Sequence, residues 1–138
     1  MNKVFLGGTC NESTWRDKLI PILESYGVNY FNPVVDDWTP ECQAEEERQK
    51  NEICKIHLYV ITPKMTGVFS IAEAVESAIN IHRNCVFCVL EKDGSDTFTY
   101  GQLKSLNAVE SLIKKYRGTV CSNIEQVAIV LSNLCNMN

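Results

Sequence analysis

The sequence predicts a three-layer α/β fold on a five-stranded parallel sheet. Two observations carry this. Short apolar runs recur along the chain, and the central ones, "IHLYVIT" and "CVFCVLE", show no polar alternation, which is the pattern of strands covered on both faces. Between the runs lie segments with apolar residues at helical spacing. Strands and helices therefore alternate as β-α-β-α-β-α-β-α-β-α, and each crossover lays a helix on the sheet. One domain spanning 1–138 is expected, because 138 residues suit a single core.

"KVFLG" at 3–7 is a buried first strand ending in Gly7-Gly8. Over 13–27, Trp15, Leu19, Ile22, Leu23 and Tyr26 share a helical face, with Pro21 as an internal strain and Gly27 as the stop. Asn11 or Ser13 is the candidate cap. "VNYFNPV" at 28–34 is the second strand. Thr39 and Pro40 then open a helix that is expected to run to about Lys55, with Glu45, Glu46 and Glu47 on a polar face. "IHLYVIT" at 56–62 is the central strand, closed by Pro63. A helix over 71–81 follows, with Ser70 and Glu73 spaced as a capping box. "CVFCVLE" at 85–91 is the fourth strand, and "KDGSDT" is a turn-rich loop. Thr99 with Gln102 caps a helix to about Tyr116, "GTVC" at 118–121 is a short edge strand, and Ser122 with Glu125 opens a last helix to about Leu134. Right-handed crossovers leave few topologies for this order. The expectation is a flavodoxin-like (Rossmann-like) sheet of strand order 2-1-3-4-5.

The bulk composition bounds the function. Apolar residues make up 45% and charged residues 22%, as in ordinary globular domains. The net charge of −4 gives no broad basic surface, which argues against nucleic acid as a partner. No stretch reaches the length of a membrane span, and no membrane partner is expected. The seven cysteines are odd in number and several lie inside apolar runs. They read as reduced thiols in a cytoplasmic protein, with "MNKVFLGG" as a first strand and not a leader. Cys85 and Cys88 have metal-pair spacing but sit in a strand, where their thiols face opposite ways. No metal and no cofactor is expected.

In a sheet of this order, ligands bind beyond the carboxyl ends of the strands, near the switch between strands 1 and 3. Three loops meet there: "GGTCNEST", "NPVVDDWTPE" and "TPKMTGVFS". Gly7, Gly8 and Thr9 lack the spacing of a dinucleotide or P-loop fingerprint. They form either a turn or a close approach for a sugar or phosphate. Asp36 and Asp37 beside Trp38 offer acceptors next to a flat apolar face, which suits a heteroaromatic ring. Otherwise Trp38 folds back on the second helix. Glu73 is either the return arm of the capping box or a fixed anionic carboxylate at the mouth of a pocket. Glu76, one turn on, is solvated or paired with Arg83 or Asn80. His57 is placed on the face opposite the site, in a structural or exposed role. His82 favours the C-terminal end of the third helix, and neither histidine makes a triad with Ser70.

"KVFLGGT", "YFNPVVDDW" and "YVITPKMTGVFSIAEAVESA" together resemble the nucleoside 2-deoxyribosyltransferase-like family, over roughly residues 3–91. The resemblance implies that Glu73 attacks C1′ of a 2′-deoxynucleoside or its 5′-monophosphate. The base leaves, a glycosyl-glutamate ester forms, and a second base or water takes the sugar. It implies proton exchange with the base by Asp37, with Asp36 beside it. Gly7 and Gly8 would line the sugar, Gly67 and Ser70 the 5′ group, and a homodimer or higher homo-oligomer would complete the site. The loop before the glutamate departs from the family pattern. It carries no aspartate and has Lys64 instead, which would favour a 5′-phosphate or lie exposed. Related deoxynucleotide N-hydrolases make hydrolysis an alternative to transfer. A nucleoside- or nucleotide-binding module without turnover is the competing reading. Cleavage of a ribosyl cofactor and a flavodoxin-like electron carrier stand behind it.

Overall fold

The computed structural model describes residues 2–10 and 12–137. Strands β1 (Lys3–Gly8), β2 (Asn29–Phe31), β3 (Ile56–Ile61), β4 (Asn84–Val89) and β7 (Thr119–Cys121) form one sheet in the order β2-β1-β3-β4-β7. Every pairing in it is parallel. Counted among these five, the order is the expected 2-1-3-4-5.

Helices α1 (Trp15–Ser25) and α5 (Ile124–Cys135) cover one face. Their Leu19, Leu23, Val127 and Leu131 pack with Val4, Leu6, Leu58, Val60 and Val86. Helices α3 (Phe69–Ile79) and α4 (Tyr100–Lys115) cover the other, where Ala74, Ala78, Leu106 and Ile113 meet Phe5, Tyr59, Ile61 and Phe87. The period of two along each strand sends alternate side chains to the two cores. All six residues of β3 are buried, and each such aliphatic side chain contributes about 1.5–3 kcal/mol. Cys85 and Cys88 fall in different cores. Burial pushes each thiol up to about 12, so both stay protonated.

Several local expectations are corrected. β2 stops at Phe31 because the Asn32 side chain accepts the Val34 N–H in a turn and Pro33 lacks a donor. α1 begins at Trp15 with no side-chain cap. Ser13 bonds instead to Asp93, and Asn11 lies outside the described residues. Thr39 caps α2 (Pro40–Arg48) by accepting the Cys42 N–H. That helix then widens into a π-turn, Gln49–Ile53, closed by the Cys54 N–H on the Gln49 carbonyl at 2.7 Å. α3 starts at Phe69, earlier than 71, so Ser70 lies within the first turn. The box with Glu73 does not form, since Val68 holds the cap position with no side-chain cap bond. "KDGSDT" is a small hairpin, β5 (Lys92–Asp93) with β6 (Asp96–Thr97). The Thr99–Gln102 box is present, whereas the box expected at Ser122 and Glu125 does not form and the cap of α5 is Asn123. Asn123 accepts the Gln126 N–H, and Gln126 accepts the Ser122 N–H.

The face expected for His57 is corrected and its structural role is kept: it lies on the α3/α4 side of the sheet, packed against the rings of Phe5 and Tyr59, and is fully buried. A carbonyl can only accept, so His57 donates Nε2–H to the Cys54 oxygen at 3.1 Å. Its Nδ1 faces the Tyr59 hydroxyl at 3.5 Å. Burial lowers its pKa to about 4, and it stands neutral.

Candidate active site

One cavity lies at the carboxyl ends of β1 and β3, a second lies between the α2/π-turn segment and α3, and both are lined by Phe69. The first, about 260 Å³, is lined by Gly8 at the end of β1 and Thr9 after it, by Gly67 after β3, and by Ser70 at the start of α3. The second, about 240 Å³, holds Glu73 with Ala72, Lys50, Glu47 and Glu76.

Glu73 stands on the second turn of α3. Its carboxylate Oε2 accepts from Lys50 Nζ at 2.6 Å, and the two side chains are only 15% and 14% exposed. Among the described residues Oε1 has no hydrogen bond of its own. Lys50 reaches this position from the π-turn and lies 5.9 Å from the centre of the Phe69 ring. The arrangement therefore presents one anchored and one unengaged oxygen of a fixed carboxylate to a cavity. Glu76 is 70% exposed at its side chain, with Arg83 at 4.0 Å.

The floor beneath the first cavity is built by buried polar groups. A Cβ on Gly8, which has φ +118°, would collide with the Val60 carbonyl oxygen, and one on Gly7 would come within 2.6 Å of the Tyr59 ring. The glycine pair thus lets β1 pass close over β3. Gly8 lines the cavity, while Gly7 lies over Tyr59. Burial, with the Glu73 charge behind it, raises the Tyr59 phenol above its usual range. Thr9 accepts the Thr62 N–H at 3.0 Å through its hydroxyl. The Thr9 carbonyl accepts from Trp15 Nε1 and Arg16 Nη1, both at 2.8 Å. Arg16 is 5% exposed, stacks on Trp15 at 4.3 Å and also donates to the Leu6 carbonyl at 2.9 Å. Burial lowers its pKa, and among the described residues it forms no ion pair. Asp93 Oδ2 accepts from Ser13 at 2.5 Å and from Thr62 at 2.6 Å, fastening the β5–β6 hairpin to the loops after β1 and β3. Lys64, beside it, is paired with Asp96 at 2.9 Å.

The structure thus brings Gly8, Thr9, Gly67 and Ser70 around one cavity and Glu73 into its neighbour. Asp36, Asp37 and Trp38 line neither. They lie on the exposed segment between β2 and α2, with Trp38 54% exposed. Lys50, Arg16 and Asp93 were not legible as site residues. Lys50 belongs to the charged run "EEERQKNE", which reads as a solvated helix face, and no local signal marks the π-turn that redirects it.

Among the described residues no group of three or more His, Cys, Asp or Glu is placed to hold a metal ion, and no helix is long and apolar enough to cross a membrane. Comparison with curated proteins and with solved structures returns no match. Residues 1–92, well over half of the chain, match the family described as nucleoside 2-deoxyribosyltransferase like. With a family match of that length on a parallel sheet whose third helix presents Glu73 to a cavity, the chain belongs to the nucleoside 2-deoxyribosyltransferase-like family.

Proposed function

We propose that the protein cleaves or transfers at the N-glycosidic bond of a 2′-deoxynucleoside or its 5′-monophosphate through a covalent ester on Glu73. One observation carries the reading: Glu73 is a fixed, largely buried carboxylate lining a cavity beside the Gly67–Ser70 loop. An electron pair of a Glu73 oxygen forms the bond to C1′ as the C1′–N bond breaks, and the C1′–N bonding pair leaves with the base, which takes up a proton. Water or a second base then attacks C1′, the ester bond breaks, and its electron pair returns to Glu73. With the sugar at Glu73, its 5′ group extends past Phe69 into the cavity lined by Gly8, Thr9, Gly67 and Ser70, which leaves the base to the exposed 36–38 segment. Asp37, with Asp36 beside it, is assigned the proton exchange at the base, and Trp38 the stacking face. Lys64 already has Asp96 as a partner, so a 5′-phosphate would rely on backbone N–H groups at the start of α3.

The protein is incubated with mixed deoxynucleosides and their monophosphates, with and without an added free base. Released base, or a new nucleoside, is expected with wild type, and Glu73→Ala should lower the rate at least about a thousandfold. A new nucleoside only in the presence of added base means transfer; free sugar means hydrolysis. The placement of Asp36 and Asp37 outside the Glu73 cavity favours one rival, a binding module without turnover. A nucleoside recovered uncleaved from folded wild type would support that rival.

A further inference from the structure

Lys50 is the one cation within ion-pairing distance of Glu73 among the described residues, and its mount is specific. The π-turn hydrogen bond closes behind it. The buried Gln49 braces that turn, donating to Glu45 Oε1 at 2.8 Å and accepting the Cys54 thiol at 3.7 Å. The π-turn ends the helix, and its wider turn aims the Lys50 side chain at Glu73. At roughly 15% exposure the Lys50–Glu73 pair is weakly screened by solvent. Its field extends to neighbouring acids: burial raises the Glu46 carboxyl, the Lys50 charge pulls it down and the Glu73 charge pushes it up.

The cation has a directional consequence. When Glu73 becomes an ester it loses its charge, and Lys50 loses its partner. A fixed ammonium stabilises the carboxylate and gives nothing comparable to the ester. It therefore destabilises the covalent intermediate relative to the free enzyme and makes Glu73 a better leaving group. We infer that Lys50 is a positioning residue that acts on the second half-reaction, drawing Glu73 back to a carboxylate so that the glycosyl-enzyme does not accumulate. This rests on the proposed glycosyl ester on Glu73. No proton moves to or from Lys50. The C1′–O bond breaks, its electron pair returns to the Glu73 oxygen that carried the sugar, the restored carboxylate regains its full charge beside Lys50, and water or the acceptor base supplies the new bond to C1′.

The test uses Lys50→Met and Lys50→Arg beside wild type, with whichever deoxynucleoside or monophosphate wild type turns over. Rapid quenching followed by intact-mass measurement reads the fraction of enzyme carrying a deoxyribosyl unit, and steady-state kinetics reads kcat and KM. Slower ester breakdown lowers kcat and KM together, here by about tenfold in Lys50→Met, while kcat/KM for base release moves by less than about threefold. The ester becomes the major enzyme form in that variant, and Lys50→Arg restores both parameters. Loss of kcat/KM without accumulated ester, or a Lys50→Met enzyme that behaves as wild type, would overturn the inference. Circular dichroism verifies the fold, and Lys50→Gln is measured in the same way if Lys50→Met does not fold. Wild type without base release, or release that survives Glu73→Ala, refutes the parent reading and the Lys50 role with it. Turnover that depends on Glu73 but shows no kcat–KM split in either neutral variant refutes the Lys50 role alone.

Discussion

The floor of the candidate site and its proposed rim, the 34–38 segment that lines neither cavity, are built on opposite principles. On the floor, Thr9, Arg16 and Thr62 are buried polar side chains, and each has its hydrogen bonds satisfied by the backbone or by a neighbouring loop. On the rim, residues 34–38 between β2 and α2 are exposed, and the Asn32 turn and the Cys42 thiol on the Asp37 carbonyl, at 3.8 Å, are what tie the segment down. Buried polar networks are costly to break and fix one geometry, whereas an exposed loop is free to carry chemistry at little expense to the fold. Substitutions on the floor are therefore expected to appear as stability, and those on the rim as turnover alone.

The largest stability effect belongs to Arg16. Its guanidinium fills a buried site and supports the Leu6 and Thr9 carbonyls, so Arg16→Ala leaves both a cavity and weakened backbone acceptors. A loss of about 4 kcal/mol is expected, read from the urea midpoint. Arg16→Lys should recover only part of it, because an ammonium lacks the planar fork that reaches two carbonyls at once. A midpoint shift as small as that of a rim variant would erase the distinction.

His57 offers a pH-resolved test of the layer under the floor. Its pKa falls from 6.5 to about 4 in the folded protein, chiefly through burial. Between these values the unfolded chain binds a proton that the folded one refuses. Stability is then complete above pH 6.5 and declines as pH falls toward 4, by up to roughly 3 kcal/mol. Carboxylates titrate in the same window, so the comparison is between wild type and His57→Gln, which retains a donor for the Cys54 carbonyl. The variant should show a smaller fall between pH 7 and 4.5. Equal slopes would mean that His57 is not held neutral.

These contrasts also show why the sequence discloses some parts of the molecule and hides others. Strands β1, β3 and β4 were legible because burial on both faces imposes continuous apolar runs, and the sheet order followed from alternation and crossover rules. Gly8 and Glu73 were legible as loop and helix-start residues. The capping box at Ser70 was misplaced because Ser-x-x-Glu spacing satisfies the motif whether or not the helix begins there, and α3 begins at Phe69. Lys50, Arg16 and Asp93 were hidden for a common reason. Lys50 and Asp93 act through partners distant in the chain and Arg16 through the carbonyls of the preceding strand and loop, and local periodicity carries no record of which charged residue a π-turn or a neighbouring strand will enclose.

The smallest effect on stability, and the sharpest use of the contrast, lies at the rim. Asp37→Asn keeps the shape of an exposed side chain and removes the acid, so the urea midpoint should match wild type. If Asp37 exchanges the proton of the base, base release should slow by about a hundredfold, within the range for a positioned general acid. Trp38→Ala should likewise leave the midpoint in place and raise KM by about tenfold, through the lost stacking face. Asp36→Asn, measured in parallel, decides which aspartate acts. If none of the three changes turnover while Glu73→Ala abolishes it, the acid is supplied from within the Glu73 cavity, where Glu47 and Glu76 are the other carboxylates of the lining.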